Sequence, residues 1–141
     1  MPVLLIHVAA TLFMVGLIWF VQVVHYPLAG QVGEASFAAY QAAHMARTSW
    51  VVGPPMLTEL ACVGLLVFSP PAGVPVWSVW LGAGLLAVVW GSTALLQVPA
   101  HSALLEGSGS VAHLVATNWI RTVAWSLRGL LALAMVAWAA Q

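Results

Sequence analysis

The sequence predicts an all-α protein, namely a four-helix transmembrane bundle made of two tandem parallel helix-hairpin repeats. Three observations predict this fold class. The 141 residues are 63% hydrophobic and only 4% charged, which is too little charge to cover a water-exposed surface. Four apolar runs are each long enough to cross a bilayer as a helix. Similar polar residues also recur at similar offsets in the two halves of the chain.

The four predicted spans lie near Val3–Val24, Ser49–Phe68, Val76–Val98 and Leu114–Ala140. Crossing about 30 Å of hydrocarbon takes roughly 20 helical residues, and each run is at least close to that length. Because the first run has no basic flank and is too long for a signal peptide, we interpret it as a retained span. Residues 1–141 then form a single transmembrane domain, in which every helix satisfies its own backbone hydrogen bonds.

The two ends of the predicted bundle differ in polarity. Residues 69–75, SPPAGVP, form a short uncharged turn at the end that carries both termini. The other end, here called the polar face, receives the ends of the first and third spans and the connections at residues 26–48 and 99–113. Nearly every ionisable group lies there, including His25, His101 and Arg121. The positive-inside rule predicts that the polar face is cytoplasmic. The expected location of this multi-pass protein is the inner membrane of a bacterium.

The first connection of the polar face is predicted to be helical. Phe37, Tyr40, His44 and Arg47 recur at three- and four-residue steps, so they share one stripe of a helix. We expect this helix, from about residue 33 to residue 48, to run directly into the second span.

The two halves of the chain resemble copies of one helix–loop–helix unit, with repeat 1 at residues 1–70 and repeat 2 at residues 75–141. In each half, a glutamine and a histidine end one span, and a polar residue followed by Arg-Thr begins the next. The paired residues are Gln22 with Gln97, His25 with His101, His44 with Asn118, and Arg47 with Arg121. Both copies enter the membrane from the same side, so a pseudo-twofold axis along the membrane normal should relate them.

Two charged residues lie well inside the predicted spans, Glu59 in the second and Arg128 in the fourth. A lone charge near the centre of a bilayer costs a few kcal/mol. We therefore predict that Glu59 and Arg128 approach each other inside the bundle, either to fix helix packing or as part of a functional site.

Three histidines reach the polar face from three different segments of the chain: His25, His44 and His101. Three imidazoles suit a transition metal such as copper, iron or zinc, so we predict that these residues bind one such ion. Other polar residues would surround the ion or its substrate. They are Arg47, Arg121, Glu59 and Asn118 as catalytic residues, and Gln22, Gln97, Tyr26 and Arg128 as cofactor-binding residues.

The favoured function is a membrane-embedded, metal-binding oxidoreductase that acts on a small lipophilic substrate. Arg47 and Arg121 would position an anionic or oxygen-bearing group of that substrate. The expected partners are the lipid bilayer and the lipophilic small molecule, and a homo-oligomer is possible. Nucleic acid is not an expected partner, because the net charge of the chain is zero.

Four alternative functions stay open. The first is a membrane protein with a bis-His haem b, in which His25 and His101 bind the iron and the polar-face arginines hold the propionates. The second is a metal-free enzyme in which a histidine acts as a general base. The third is an ion or proton transporter built around the two mid-membrane charges. The fourth is a structural subunit of a membrane complex.

Three short motifs resemble the anthrone-oxygenase-like family of small four-span bacterial membrane proteins. They are the His25-Tyr26-Pro27 segment after the first span, the aromatic stripe before the second span, and the Asn118-x-x-Arg121 segment that begins the fourth. The resemblance covers most of the chain. It implies oxidation of an aromatic substrate that dissolves in the membrane.

Overall fold

The computed structural model describes all 141 residues and confirms the predicted all-α, four-helix fold. Its four continuous helical spans are Pro2–Ala29, Glu34–Phe68, Val76–Leu105 and Val111–Ala139. Each span is long and apolar enough to cross a membrane. The chain is therefore a multi-pass membrane protein.

The spans divide into six α-helices and two π-helical turns. In chain order these elements are α1 (Pro2–Phe20), π1 (Val21–His25), α2 (Tyr26–Ala29), α3 (Glu34–Phe68), α4 (Val76–Ser92), π2 (Thr93–Gln97), α5 (Val98–Leu105) and α6 (Val111–Ala139). Helix α1 packs on α3 and α6, and α6 also packs on α4. The predicted helix from about residue 33 to residue 48 is confirmed, because α3 continues through it without a break.

The π-helical turns lie at matching places, late in the first and third spans, and each is followed by a proline. Pro27 and Pro99 have no backbone N–H, so the carbonyl groups of Val23 and Leu95, four residues earlier, lose their α-helical donors. Those carbonyls lie inside π1 and π2, where the helix widens. Matching interruptions are what a tandem repeat would produce, and the repeat itself stays a prediction.

The hydrophobic core forms three layers along the bundle axis, and each layer draws on at least three spans. The layer nearest the termini consists of Leu4, Leu66, Val74, Val79 and Met135. The middle layer consists of Met14, Ile18, Met56, Val89, Ala124 and Trp125. The layer under the polar face consists of Tyr26, Ala100, Leu104 and Leu114. The polar face is therefore anchored by tightly packed side chains rather than by a loose loop.

The 69–75 turn closes the opposite end of the bundle against the end of α6. Gly73 has a φ of +80°, and a Cβ atom at this position would lie 2.7 Å from the carbonyl oxygen of Trp138. Only glycine tolerates both this conformation and this close approach. The turn is thus fixed against α6, which keeps the second and third spans in register with the fourth.

The predicted approach of Glu59 and Arg128 is confirmed as a buried salt bridge, with Arg128 Nη2 lying 3.1 Å from Glu59 Oε1. Thr11 Oγ1 donates to Glu59 Oε1 at 2.8 Å, and Trp125 Nε1 donates to Glu59 Oε2 at 2.9 Å. Arg128 Nη1 donates to the carbonyl oxygen of Gly82. Through these contacts the pair joins all four spans near the middle of the bundle.

We expect Arg128→Met to lower the free energy of unfolding by about 3–5 kcal/mol, because it leaves the Glu59 carboxylate buried without its cation. Denaturation of the purified protein in detergent micelles measures this change. Arg47→Gln is the matched control, since Arg47 is exposed and forms no salt bridge, and it should change the value by less than about 0.5 kcal/mol. Equal stability of the two variants would contradict a central role for the pair.

Candidate functional site

Three imidazole rings from distant segments meet beneath the polar face. His25 ends π1, His44 lies in the first part of α3, and His101 lies in α5. The Nε2 atom of His25 is 2.8 Å from the Nδ1 atom of His44. The ring centroids of His44 and His101 are 5.1 Å apart. The structure therefore brings together the three histidines that were predicted as metal ligands.

The hydrogen bonds of His101 fix which of its nitrogens carries the hydrogen. Gln41 Nε2 lies 3.2 Å from the backbone oxygen of His101 and 2.8 Å from its Nδ1 atom. Because a backbone carbonyl only accepts, the Gln41 group must be the NH₂, and it donates to Nδ1 as well. The Nε2 atom then carries the hydrogen and donates to the hydroxyl oxygen of Tyr26, 2.9 Å away. The hydroxyl hydrogen of Tyr26 is left free for another acceptor.

His44 is held through one nitrogen and open at the other. Its Nδ1 atom contacts His25 Nε2 and lies 3.1 Å from Thr48 Oγ1, whereas its Nε2 atom has no hydrogen-bond partner in the protein. The Tyr40 hydroxyl lies 3.4 Å from His25 Nε2, on the outer side of the pair. His44 is thus oriented by its neighbours and keeps one ring nitrogen available.

A cavity of about 140 Å³, here called the His–Arg cavity, lies against two of these rings. Its polar lining residues are Tyr26, His44, Thr48, Ser49, Thr93, Gln97, His101 and Arg121, and its apolar ones are Met45, Val52, Met56 and Val98. Ser49 and Val98 are exposed, so the cavity reaches the outer surface of the bundle between the second and third spans. A small amphipathic molecule could therefore enter it from the lipid.

Arg121 is the only charged residue that lines the His–Arg cavity. Its side chain is 8% exposed, and its Nε atom is buried without a hydrogen-bond partner. The guanidinium lies near the Tyr26 hydroxyl, and its Cζ atom is 5.4 Å from the ring centroid of Trp125. No carboxylate neutralises it, since the only salt bridge in the protein joins Glu59 and Arg128.

The second predicted arginine, Arg47, lies at a different cavity. This second cavity has a volume of about 200 Å³ and includes His25, His44 and Arg47 in a lining that is otherwise mainly apolar. Arg47 is exposed and does not line the His–Arg cavity. The two arginines thus line different cavities, both of which His44 borders, and do not share a cavity in which they could act on one group.

Three other predicted site residues, Gln22, Gln97 and Asn118, hydrogen-bond within the bundle rather than to an imidazole. Gln22 Oε1 accepts from Asn118 Nδ2 at 2.7 Å, and Gln22 Nε2 donates to the carbonyl oxygen of Val115 at 3.1 Å. Gln97 lines the His–Arg cavity but donates to Thr117 Oγ1 at 2.9 Å. These amides join the first and third spans to α6, directly below the histidines.

The mid-membrane pair is separate from the histidines. Neither Glu59 nor Arg128 lines the His–Arg cavity, and every polar atom of Glu59 is taken up by the contacts described above. Only Trp125 links the two regions, because it donates to Glu59 and lies beside Arg121. The pair therefore serves packing in this structure, and its predicted roles in catalysis and cofactor binding gain no support from its position.

The imidazoles, as placed, do not form a group of three or more side chains that could hold a metal ion. His25 and His44 share a hydrogen bond, and both nitrogens of His101 are engaged by Gln41 and Tyr26. Two imidazoles on one tetrahedral zinc ion have nitrogens about 3.3 Å apart, given bonds of about 2.0–2.1 Å. Metal binding would therefore require the His25–His44 contact to open and His101 to rotate.

Sequence reasoning did not identify Gln41, although this residue is 2% exposed and sets the tautomer of His101. The signal was present, because Gln41 follows Phe37 by four residues and precedes His44 by three, which are helical steps along one stripe. Glutamine in an interfacial helix is usually solvated, so the residue type alone did not indicate that Gln41 would be buried against His101. Thr48, which contacts His44 one helical turn away, was recognised only as part of the repeat.

We expect neutral His101 to carry its hydrogen on Nε2, and Gln41→Leu to weaken that preference because Nδ1 loses its donor. Nitrogen-15 NMR of histidine-labelled protein in micelles at pH 8, where an ordinary imidazole is neutral, distinguishes the two tautomers. The exposed His113 in the same spectrum serves as the reference for a solvated ring. A wild-type His101 that is mainly the Nδ1–H tautomer would show that the Gln41 contact is wrong.

Comparison with family models, curated proteins and solved structures finds no match to this chain. The resemblance to the anthrone-oxygenase-like family therefore stays a prediction from three short motifs. The proposals that follow depend on the geometry of the His–Arg cavity.

Proposed function

We propose that the protein is a membrane-embedded enzyme that removes a proton from, or returns it to, a small lipophilic substrate in the His–Arg cavity. The observation that carries this proposal is the state of His44. Its ring lines the cavity, its Nδ1 atom is held by His25, and its Nε2 atom has no partner. A general base needs this combination of a fixed ring and an open nitrogen.

The proposed reaction class is proton abstraction next to a carbonyl or carboxyl group. With Nδ1–H donating to His25 Nε2, the Nε2 atom of His44 keeps its lone pair for the substrate. The C–H bond of the substrate breaks, an N–H bond forms on His44, and the electron pair stays on the substrate. Arg121 lines the same cavity, where it would stabilise the negative charge that develops on the substrate oxygen.

The surroundings of the cavity support a substrate that arrives through the bilayer. Val98 on the rim is 53% exposed, and Val52 and Met56 line the interior. An apolar body can therefore cross the rim without leaving a hydrocarbon environment. We further propose the bacterial inner membrane as the location, supported by the four spans and by the resemblance to small bacterial membrane proteins. A homo-oligomer is compatible with the many apolar side chains on the outer surface.

A second candidate is the metal-binding oxidoreductase, favoured by one specific contact. His25 Nε2 and His44 Nδ1 point at each other at 2.8 Å, with the His101 ring beside them. Widening that contact by about half an ångström would admit an ion between the two nitrogens. Copper or iron at this point would supply redox chemistry to a substrate in the neighbouring cavity. A bis-His haem gains no such support, because the His44 ring contacts both histidines that would hold the iron.

We expect the wild-type protein to incorporate deuterium from D₂O into at least one lipophilic molecule, and His44→Gln to reduce the rate at least about 100-fold, since the base is lost. The protein is incubated in D₂O with a lipid extract of the cells that produce it, and mass spectrometry measures the uptake.

His113→Gln is the matched control, because His113 is an exposed histidine outside the site, and it should retain the wild-type rate. The proposal fails if uptake does not exceed that of a protein-free sample, or if His44→Gln is as active as wild type. Uptake lost equally in both variants would point to a general effect of histidine replacement and would also contradict the assignment of His44.

The two candidates differ in metal content. Protein purified without chelator should contain less than about 0.1 copper, iron or zinc ion per chain if proton transfer by imidazole is correct, because His25 and His44 then satisfy each other. Elemental analysis measures this content. About one ion per chain that is lost in His25→Ala and His44→Ala, but kept in His113→Ala, would instead establish the metal centre.

A further inference from the structure

The Arg121 charge has no carboxylate partner although the residue is buried inside the bundle. A buried cation without a counter-charge destabilises the folded protein, because it has lost its hydration without gaining an ion pair. The protein offers Arg121 only the nearby Tyr26 hydroxyl and the Trp125 ring, and a cation–π contact compensates a buried charge only in part. Arg128, the other buried arginine, has a carboxylate within 3.1 Å. The comparison shows what Arg121 is missing, namely an anion.

Tyr26 contributes a second donor on the same wall. Its oxygen accepts from His101 Nε2 and faces the Arg121 guanidinium. Because this oxygen accepts from His101, the hydroxyl keeps its own hydrogen for another acceptor, and Tyr26 lines the His–Arg cavity. The cavity therefore presents a cation and a free O–H group side by side, a pair that complements a negatively charged oxygen.

The remaining dimensions of the cavity limit the ligand. Its volume of about 140 Å³ is close to that of cavities known to hold a benzene molecule. Val52, Met56 and Val98 form apolar walls, and Ser49 and Val98 form an exposed rim. A ring or short chain therefore fits inside, while a longer tail can extend past the rim into lipid.

We infer that the His–Arg cavity binds a lipophilic acid, with its carboxylate or phenolate oxygen held by Arg121 and Tyr26 and its apolar body between the second and third spans. If the proposed enzyme is correct, this acid is the class of its substrate. The inference rests on the proposed function only in that respect. The anion site itself needs no proton transfer by His44, so the two can be tested apart.

Calorimetric titration of the full-length protein in neutral detergent tests this inference, with benzoate and hexanoate as probes and benzamide and hexanamide as their uncharged counterparts. Wild type should bind at least one acid about tenfold or more tightly than its amide, because a buried charged hydrogen bond is lost with the amide. Arg121→Gln should remove that preference, and Tyr26→Phe should weaken acid binding several-fold.

Three further variants make the result specific. Arg121→Lys keeps the charge and should keep a preference for the acid, which separates loss of the anion site from loss of the fold. Arg47→Gln should bind like wild type, because Arg47 lies at the second cavity. His113→Gln should also bind like wild type, because His113 is exposed and lies outside the cavity.

The inference is overturned if wild type binds neither acid, if acid and amide bind equally well, or if Arg121→Gln retains the preference for the acid. Binding of the acid by wild type without any deuterium uptake by wild type would leave the anion site standing and remove the proposed enzyme. Deuterium uptake by wild type without any preference for the acid would support the proposed enzyme and remove the anion site.

Discussion

The buried contact between Glu59 and Arg128 is the constraint on which the arrangement of the four spans depends. Lipid is as apolar as the helix surfaces, so burial of apolar area gives little reason for helices to associate in a bilayer. Polar contacts and close packing between the helices must therefore supply the stability that apolar burial supplies in water. Here one ion pair, completed by Thr11, Trp125 and the Gly82 carbonyl, reaches every span. Its geometry sets the register in which the residues of the polar face meet.

The site depends on that register and on two local departures from α-helical geometry. Each π-helical turn widens the helix just before a proline, which lacks the backbone N–H that would complete the α-helical hydrogen bond. Such π-helical turns often occur at functional sites. The turns contain Gln22 and His25 in the first span and Gln97 in the third. An unbroken α-helix would direct these side chains differently, so the prolines that follow the turns help to aim the polar groups inward.

Much of this was predictable because membrane proteins obey few and strong rules. The lengths of the apolar runs predicted the spans, and the cost of a lone charge in lipid predicted the Glu59–Arg128 pair, as the structure confirms. The spacing of Phe37, Tyr40 and His44 likewise predicted the helical start of α3. The convergence of three histidines followed from their shared face. Sequence periodicity could not say which cavity each arginine would reach, because that depends on helix rotation, which only packing decides.

The position of His44 also has a consequence for the two cavities of the bundle. Its ring, together with Thr48 and Val52, borders both the His–Arg cavity and the second cavity. These three side chains lie between the two cavities, of which one is lined by Arg121 and the other by Arg47. A change in the orientation of the His44 imidazole would therefore change the shape of both cavities at once.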